Sequence, residues 1–173
     1  KMMTIAPEVP GAIEAIEQIS SKGIVPALGH SNATFEETNA GIEAGISHVT
    51  HVANAMKTLH HREPGTLGGV LMNEGLTVEI ITDGHHLHPE FIRWLVDLKG
   101  SENICIVTDG IGAMGRDDGP YEYNGLDCEI KDGAAYYEDG TLIGTAMTQL
   151  QLIDRARRFT GLPLYEVVNM ASL

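Results

Sequence analysis

Two cysteines in 173 residues, Cys105 and Cys128, are too few for a disulfide-stapled scaffold, and their spacing fits neither a zinc knuckle nor a redox motif. Basic residues are scarce as well: Lys and Arg number 11 against 24 Asp and Glu, a net charge of −13. A general binder of nucleic acid or of an anionic membrane wants a basic face, so both classes are set aside. An anionic small molecule is not, because a few aimed donors hold one phosphate. No apolar run is long enough to span a bilayer, and the opening residues do not read as a signal peptide. There is no HExxH, no Gly-x-Ser-x-Gly and no P-loop, which removes the zincin, nucleophile-elbow and nucleotide-triphosphatase readings. Cys105 lies in an apolar strand pattern and is expected to be a buried thiol. A reducing cytoplasm is the expected compartment.

What is present is a soluble composition and a length that buries one sizeable core, hence one domain over residues 1–173. Short apolar runs alternate with helical stripes. Strands are expected at 2–6, 24–28, 48–51, 77–82 and 103–108. Helices are expected at 11–22, 34–44, from Pro89 to 98, 149–159 and from Pro163 onward. Thr34 and Glu37 have capping-box spacing. Residues 57–69 show no period and read as a functional loop. Residues 121–142 alternate, with Asn124-Gly125, Asp132-Gly133 and Asp139-Gly140 as turns, and read as a β-hairpin insert. Strict strand–helix alternation predicts an α/β fold with a parallel sheet and right-handed crossovers. Five strands are too few for a closed eight-stranded barrel. Residues 1–5 enter directly into a strand and 166–173 stop inside a helix, whereas domains start and stop in exposed linkers. The expectation is a partial (β/α)8 TIM-type barrel of about five parallel strands, truncated at both ends.

The stretch that organises the rest is 24–56. His30 and His51 end two consecutive strands with one helix between them, which predicts two imidazoles on one rim, where active sites collect. Two such rings can share a metal ion, whereas either one alone reads as an ordinary strand-end histidine. Asp109 ends another strand. Before Gly110 it is either a turn residue or, on the same rim, a proton shuttle. His85 and His86 follow Asp83-Gly84 at a further strand end, as substrate contacts or as a solvated loop. Arg62 can grip a phosphate through two parallel hydrogen bonds, or be a surface residue. Asn54 and Ala55 offer side-chain and backbone donors to the same anion. His48 reads as structural. Residues 140–144 are a glycine-flanked turn.

Six motifs in order — Gly29-His30-Ser31-Asn32-Ala33-Thr34, Thr50-His51-Val52-Ala53-Asn54-Ala55-Met56, Arg62-Glu63-Pro64-Gly65, Asp83-Gly84-His85-His86, Val107-Thr108-Asp109 and Gly140-Thr141-Leu142-Ile143-Gly144 — resemble the N-acetylglucosamine-6-phosphate deacetylase family across essentially the whole chain. Ala6-Pro7-Glu8 fits as well. The resemblance implies an amidohydrolase-superfamily barrel that hydrolyses the N-acetyl group of N-acetylglucosamine 6-phosphate to glucosamine 6-phosphate and acetate. It implies His30 and His51 as ligands of a divalent ion, zinc or iron, and Asp109 as the catalytic acid/base. Asn54, Ala55, Arg62 and His86 would contact the substrate, mostly at its phosphate, and Leu142, Ile143 and Gly144 would line its acetamido side. Arg62 would reach a neighbouring subunit's site, implying a homodimer. The family's third ligand, a glutamate in a His-x-Glu-Gly-Pro-Phe motif, and the histidine that follows it would lie upstream of Lys1. The family's small β-sandwich is not represented. The 173 residues alone are therefore expected to be nearly inactive. Two other readings fit some of these residues: a different amidase on the same barrel, such as a cyclic-amidase type, and a non-catalytic sugar-phosphate-binding fragment.

Overall fold

Alternation of strand and helix persists through the first two-thirds of the chain. The computed structural model describes residues 1–172. The elements are β1 (Met2–Ile5), α1 (Ala12–Ser21), β2 (Val25–Leu28), α2 (Phe35–Glu43), β3 (His48–Val49), α3 (Gly65–Met72), β4 (Thr77–Ile80), α4 (Pro89–Lys99), β5 (Ile104–Ile106), then β6 (Gly119–Tyr123), β7 (Leu126–Lys131), β8 (Ala134–Tyr137), β9 (Leu142–Thr145), α5 (Gln149–Thr160) and α6 (Leu164–Met170). The first five strands form one sheet in the order β1-β2-β3-β4-β5, and β1 to β4 pair in parallel register. The chain falls into two compact units, residues 1–79 with 98–104, and residues 80–97 with 105–173. Among the described residues no helix is long and apolar enough to cross a membrane.

In the first unit, Ile16, Leu28, Val49, Val52, Val70 and Val78 are fully buried, so residues of the expected strands and of the first helical stripe lie in the core, joined by Val52 and Val70. The expected capping box opens α2: Thr34 Oγ1 accepts from Glu37 N (3.2 Å) and the Glu37 carboxylate accepts from Thr34 N (2.8 Å). Part of the expected loop at 57–69 is helical instead. Helix α3 packs as an apolar, Gly-rich turn with Gly68 and Gly69 buried, and its lack of a polar face is why it shows no amphipathic period. Lys99, only 6% exposed, donates from Nζ to the carbonyls of Val70 (2.6 Å) and Asn73 (2.5 Å), satisfying the end of α3. Burial pushes its pKa down. Lys99→Met keeps the stem and strands both carbonyls. It is expected to cost about 1–3 kcal/mol, read as a lower urea midpoint at unchanged slope.

In the second unit, Ile80, Ile81, Ile92, Leu95, Leu152 and Ala156 are fully buried. Residues 119–145 form a four-stranded antiparallel sheet, β6-β7-β8-β9, wider than a hairpin over 121–142. Three glycine turns join four strands. Asn124 and Asp132 have φ of 54° and 48°, the left-handed conformation that such turns require. One face of this sheet closes on Ile111, Ala113, Ile130, Ala135 and Ala146, with Tyr121, Tyr123 and Ile143 packed against them. The burial of the two cysteines differs from expectation: Cys128, on the packed face of β7, is buried, whereas Cys105 in β5 is only half-buried.

Candidate active site

Backbone strain marks the site before any side chain does. Among the described residues, seven that are not glycine adopt positive φ. Two are Asn124 and Asp132 in their turns. The other five are His30 (48°), His51 (27°), Ala53 (69°), Ala55 (49°) and Asp109 (47°), all within the motifs singled out from sequence. Such conformations cost free energy and persist where the surroundings impose them, typically at functional sites.

In the first unit, His30 follows the last residue of β2 by two positions and His51 follows the last residue of β3 by two. The parallel register Leu28↔Val49 therefore brings both loops off the same end of the sheet. Gly29 is what lets the chain leave there: a Cβ would stand 2.7 Å from Thr4 Cγ2 and 2.8 Å from Thr50 Cβ. The two rings meet edge to face, 4.7 Å between centroids, with Nε2 2.9 Å from Nε2. Glu79, inside β4, braces this arrangement. One oxygen accepts from His51 N (3.2 Å) and the other lies 3.0 Å from His48 Nε2, which gives His48 the structural role expected of it. Burial pushes Glu79 upward, but the hydrogen bonds from His48 and from His51 N outweigh it and leave the carboxyl below its usual range. Glu8 accepts from Ser31 Oγ (2.8 Å) and Asn32 N (2.6 Å), holding the segment that carries His30.

The convergence of two Nε2 atoms fits two positions of a metal shell. Two imidazoles bound at about 2.0–2.1 Å to one tetrahedral ion would stand about 3.3 Å apart, a few tenths beyond what is seen. Among the described residues, the buried His51 Nδ1, on the far side of the ring from Nε2, has no hydrogen-bond partner. The pair is not a whole shell. Among the described residues no group of three or more His, Cys, Asp or Glu side chains is placed to hold a metal.

The other residues of this unit sit as follows. Asn54 Nδ2 donates to the carbonyls of His51 (3.3 Å) and Val52 (3.2 Å), so its amide braces the strained turn rather than standing free. Ala55 is exposed on that turn. Arg62 is exposed, with Nη1 2.7 Å from His61 Nε2 and its backbone N–H donating to His60 Nδ1 (3.3 Å). Beside it, Glu63 accepts from Phe35 N (3.3 Å) and Gly65 N (3.1 Å), tying the Arg-Glu-Pro-Gly loop to the starts of α2 and α3.

In the second unit, Asp109 lies three residues past β5 with an exposed side chain. Its carbonyl accepts from Thr145 N (3.3 Å), and Gly110 bridges to Thr145. Strand β9 thus runs beside the catalytic candidate. Gly144 permits that approach, because a Cβ there would lie 2.7 Å from Asp109 O and its φ is 148°. The structure therefore brings Gly144 to Asp109. Leu142 is half-buried and Ile143 packs on the apolar cluster. His86 is anchored by a residue to which the sequence assigned no role within its motif: Asp83, fully buried, whose Oδ2 is 2.6 Å from His86 Nδ1. Asp83 and Glu8 were visible as members of motifs with no role of their own, and Glu79 only as an acid within a strand. A charge in a strand interior, as in Thr-Val-Glu-Ile of β4, is the signal that would have found Glu79.

No protein-family profile matches the chain. Individual proteins do. It is 35% identical over 172 residues to the N-acetylglucosamine-6-phosphate deacetylase of Lysinibacillus sphaericus, covering 99% of this chain and 44% of that protein. It is 34% identical over 173 residues to the N-acetylgalactosamine-6-phosphate deacetylase of Escherichia coli O157:H7, covering 46% of it. In structure it matches a variant N-acetyl-D-glucosamine-6-phosphate deacetylase from Mycobacterium smegmatis, solved in complex with N-acetyl-D-glucosamine-6-phosphate, at a TM-score of 0.88 and 36% identity, over 98% of this chain and 45% of that one. The chain spans a little under half the length of the relatives it matches. By sequence and by fold together, it is similar along its whole length to a segment of proteins named N-acetylglucosamine-6-phosphate deacetylase.

Proposed function

We propose that the protein carrying this chain removes the acetyl group from N-acetylglucosamine 6-phosphate, and that these residues supply about half of its catalytic barrel. The observation that carries the reading is the 2.9 Å approach of His30 Nε2 to His51 Nε2 on strained strand-end residues, in a chain matched along its length by such enzymes. The five parallel strands would be part of a (β/α)8 barrel, with the β6–β9 sheet inserted after the fifth. His30 and His51 would hold a divalent ion, zinc or iron, together with a glutamate from outside these residues; both ions suit His and carboxylate ligands. Such an ion, when bound, acts as a Lewis acid and lowers the pKa of water toward about 7. Asp109 would take the proton of the attacking water and deliver it to the departing amine nitrogen. Asn54, Ala55, Arg62 and His86 would hold the sugar phosphate, supplying orientation rather than chemistry. Leu142, Ile143 and Gly144 would line the acetamido group. Arg62, exposed on its loop, would serve the site of a second subunit in a homodimer. A chain with only two cysteines suits a reducing cytoplasm.

The match to the galactosamine enzyme favours one second reading, the 4-epimer as substrate. Acetate release by the intact protein tests both. N-acetylglucosamine 6-phosphate is expected to be turned over, with the galactosamine epimer slower and the sugars lacking phosphate slower still. Hydrolysis of a cyclic amide with no acetate released from either sugar phosphate would replace this reading by another amidase. The 173 residues alone are expected to release little acetate.

A further inference from the structure

The loop after β4 contains a buried network. Asp83 is fully buried, and its Oδ1 accepts from the backbone N–H groups of both His85 and His86, each at 2.9 Å. Its Oδ2 lies 2.6 Å from His86 Nδ1. Its carbonyl accepts from Arg155 Nη1 (2.6 Å), and Arg155 Nη2 donates to Asp132 (3.0 Å). The His85 ring is tied down in parallel, with Nδ1 3.2 Å from Tyr136 Oη and Nε2 3.3 Å from Asp132. The loop is thus held by α5 and by the turn between β7 and β8. Burial raises the Asp83 pKa, but the bond and charge of His86 and the two N–H groups outweigh it, so the group sits below the usual carboxylate range.

An ionised carboxylate only accepts hydrogen bonds. The short contact to Nδ1 therefore requires a proton on Nδ1, and in a neutral ring that leaves Nε2 bare. We propose that Asp83 is a positioning residue that fixes His86 with its proton on Nδ1, so that a bare Nε2 is presented to accept a hydrogen bond from a hydroxyl of the sugar phosphate. The substrate half of this rests on the deacetylase reading; the ring's tautomer does not. An uncharged replacement makes the dependence visible. In Asp83→Asn the amide oxygen stays with the two backbone N–H groups and the NH2 faces His86 Nδ1. Two donors cannot share that contact, so the proton must move to Nε2. The same logic governs aspartates that orient catalytic histidines in hydrolases.

The test is nitrogen-15 NMR of histidine-labelled intact protein at about pH 8, above the usual histidine range. His86 is assigned by the resonance lost in His86→Gln. Wild-type protein is expected to show Nδ1 protonated, and Asp83→Asn to show Nδ1 bare. In steady-state assays Asp83→Asn should raise KM for N-acetylglucosamine 6-phosphate about tenfold or more, with kcat within about threefold, the pattern of a lost binding orientation. A merely structural role would not move the ring proton. Wild-type His86 with Nδ1 unprotonated overturns the proposal, and that spectrum decides even if Asp83→Asn fails to fold. An unchanged proton position in a folded Asp83→Asn overturns it as well. Absence of acetate release by the wild-type protein sinks the deacetylase reading, whereas a wrong tautomer in a protein that does release acetate sinks this proposal alone.

Discussion

Asp109→Asn in the intact protein is expected to lower kcat by about 10²–10⁴-fold while leaving KM within a few-fold. The choice of Asn isolates the chemistry. Asp109 has φ of 47°, and Asn is among the few residues that adopt this conformation at little cost, so the backbone beside Gly144 and Thr145 should not move. The amide keeps shape and polarity but cannot accept and return a proton. Loss of kcat alone is then loss of proton transfer. Steady-state kinetics on acetate release check it, with circular dichroism confirming the fold. A large rise in KM with kcat preserved would reassign Asp109 to substrate binding.

His51→Asn is expected to leave the purified intact protein with less than about a tenth of its wild-type metal after dialysis, measured by mass spectrometry, and to abolish turnover in parallel. Removing one of the three proposed protein ligands would leave too few bonds to hold a divalent ion against water. Asn again suits the local backbone, where φ is 27°. The bond from the His51 N–H to Glu79 survives, because it is made by the main chain. Full metal content in the folded variant would show that His51 is a buried structural ring, and the 2.9 Å contact to His30 an ordinary hydrogen bond between imidazoles.

The α/β class and the position of His30 and His51 off neighbouring strand ends were legible in the linear chain, because both depend on local rules. Apolar runs of four or five residues, glycine stops and a Thr34–Glu37 cap are read over a few positions, and a parallel strand pair then places its loops at one end. The place of Asp109 shortly after β5 was legible for the same reason. Helix α3 was not, since a buried, glycine-rich turn has no polar face to set a period. Nor was the fourth strand of the insert, where three similar turns could be divided among strands in more than one way. Folding alone decided the supporting contacts. Glu79 meets His48 and His51 from a different strand, and Gly144 meets Asp109 across 35 residues. Asp83 is close to His86 in sequence, yet only burial of its carboxylate turns that proximity into a fixed proton. Local patterning specifies which side chains reach a strand end; desolvation and long-range pairing specify how each is held there, and neither leaves a periodic trace in the chain.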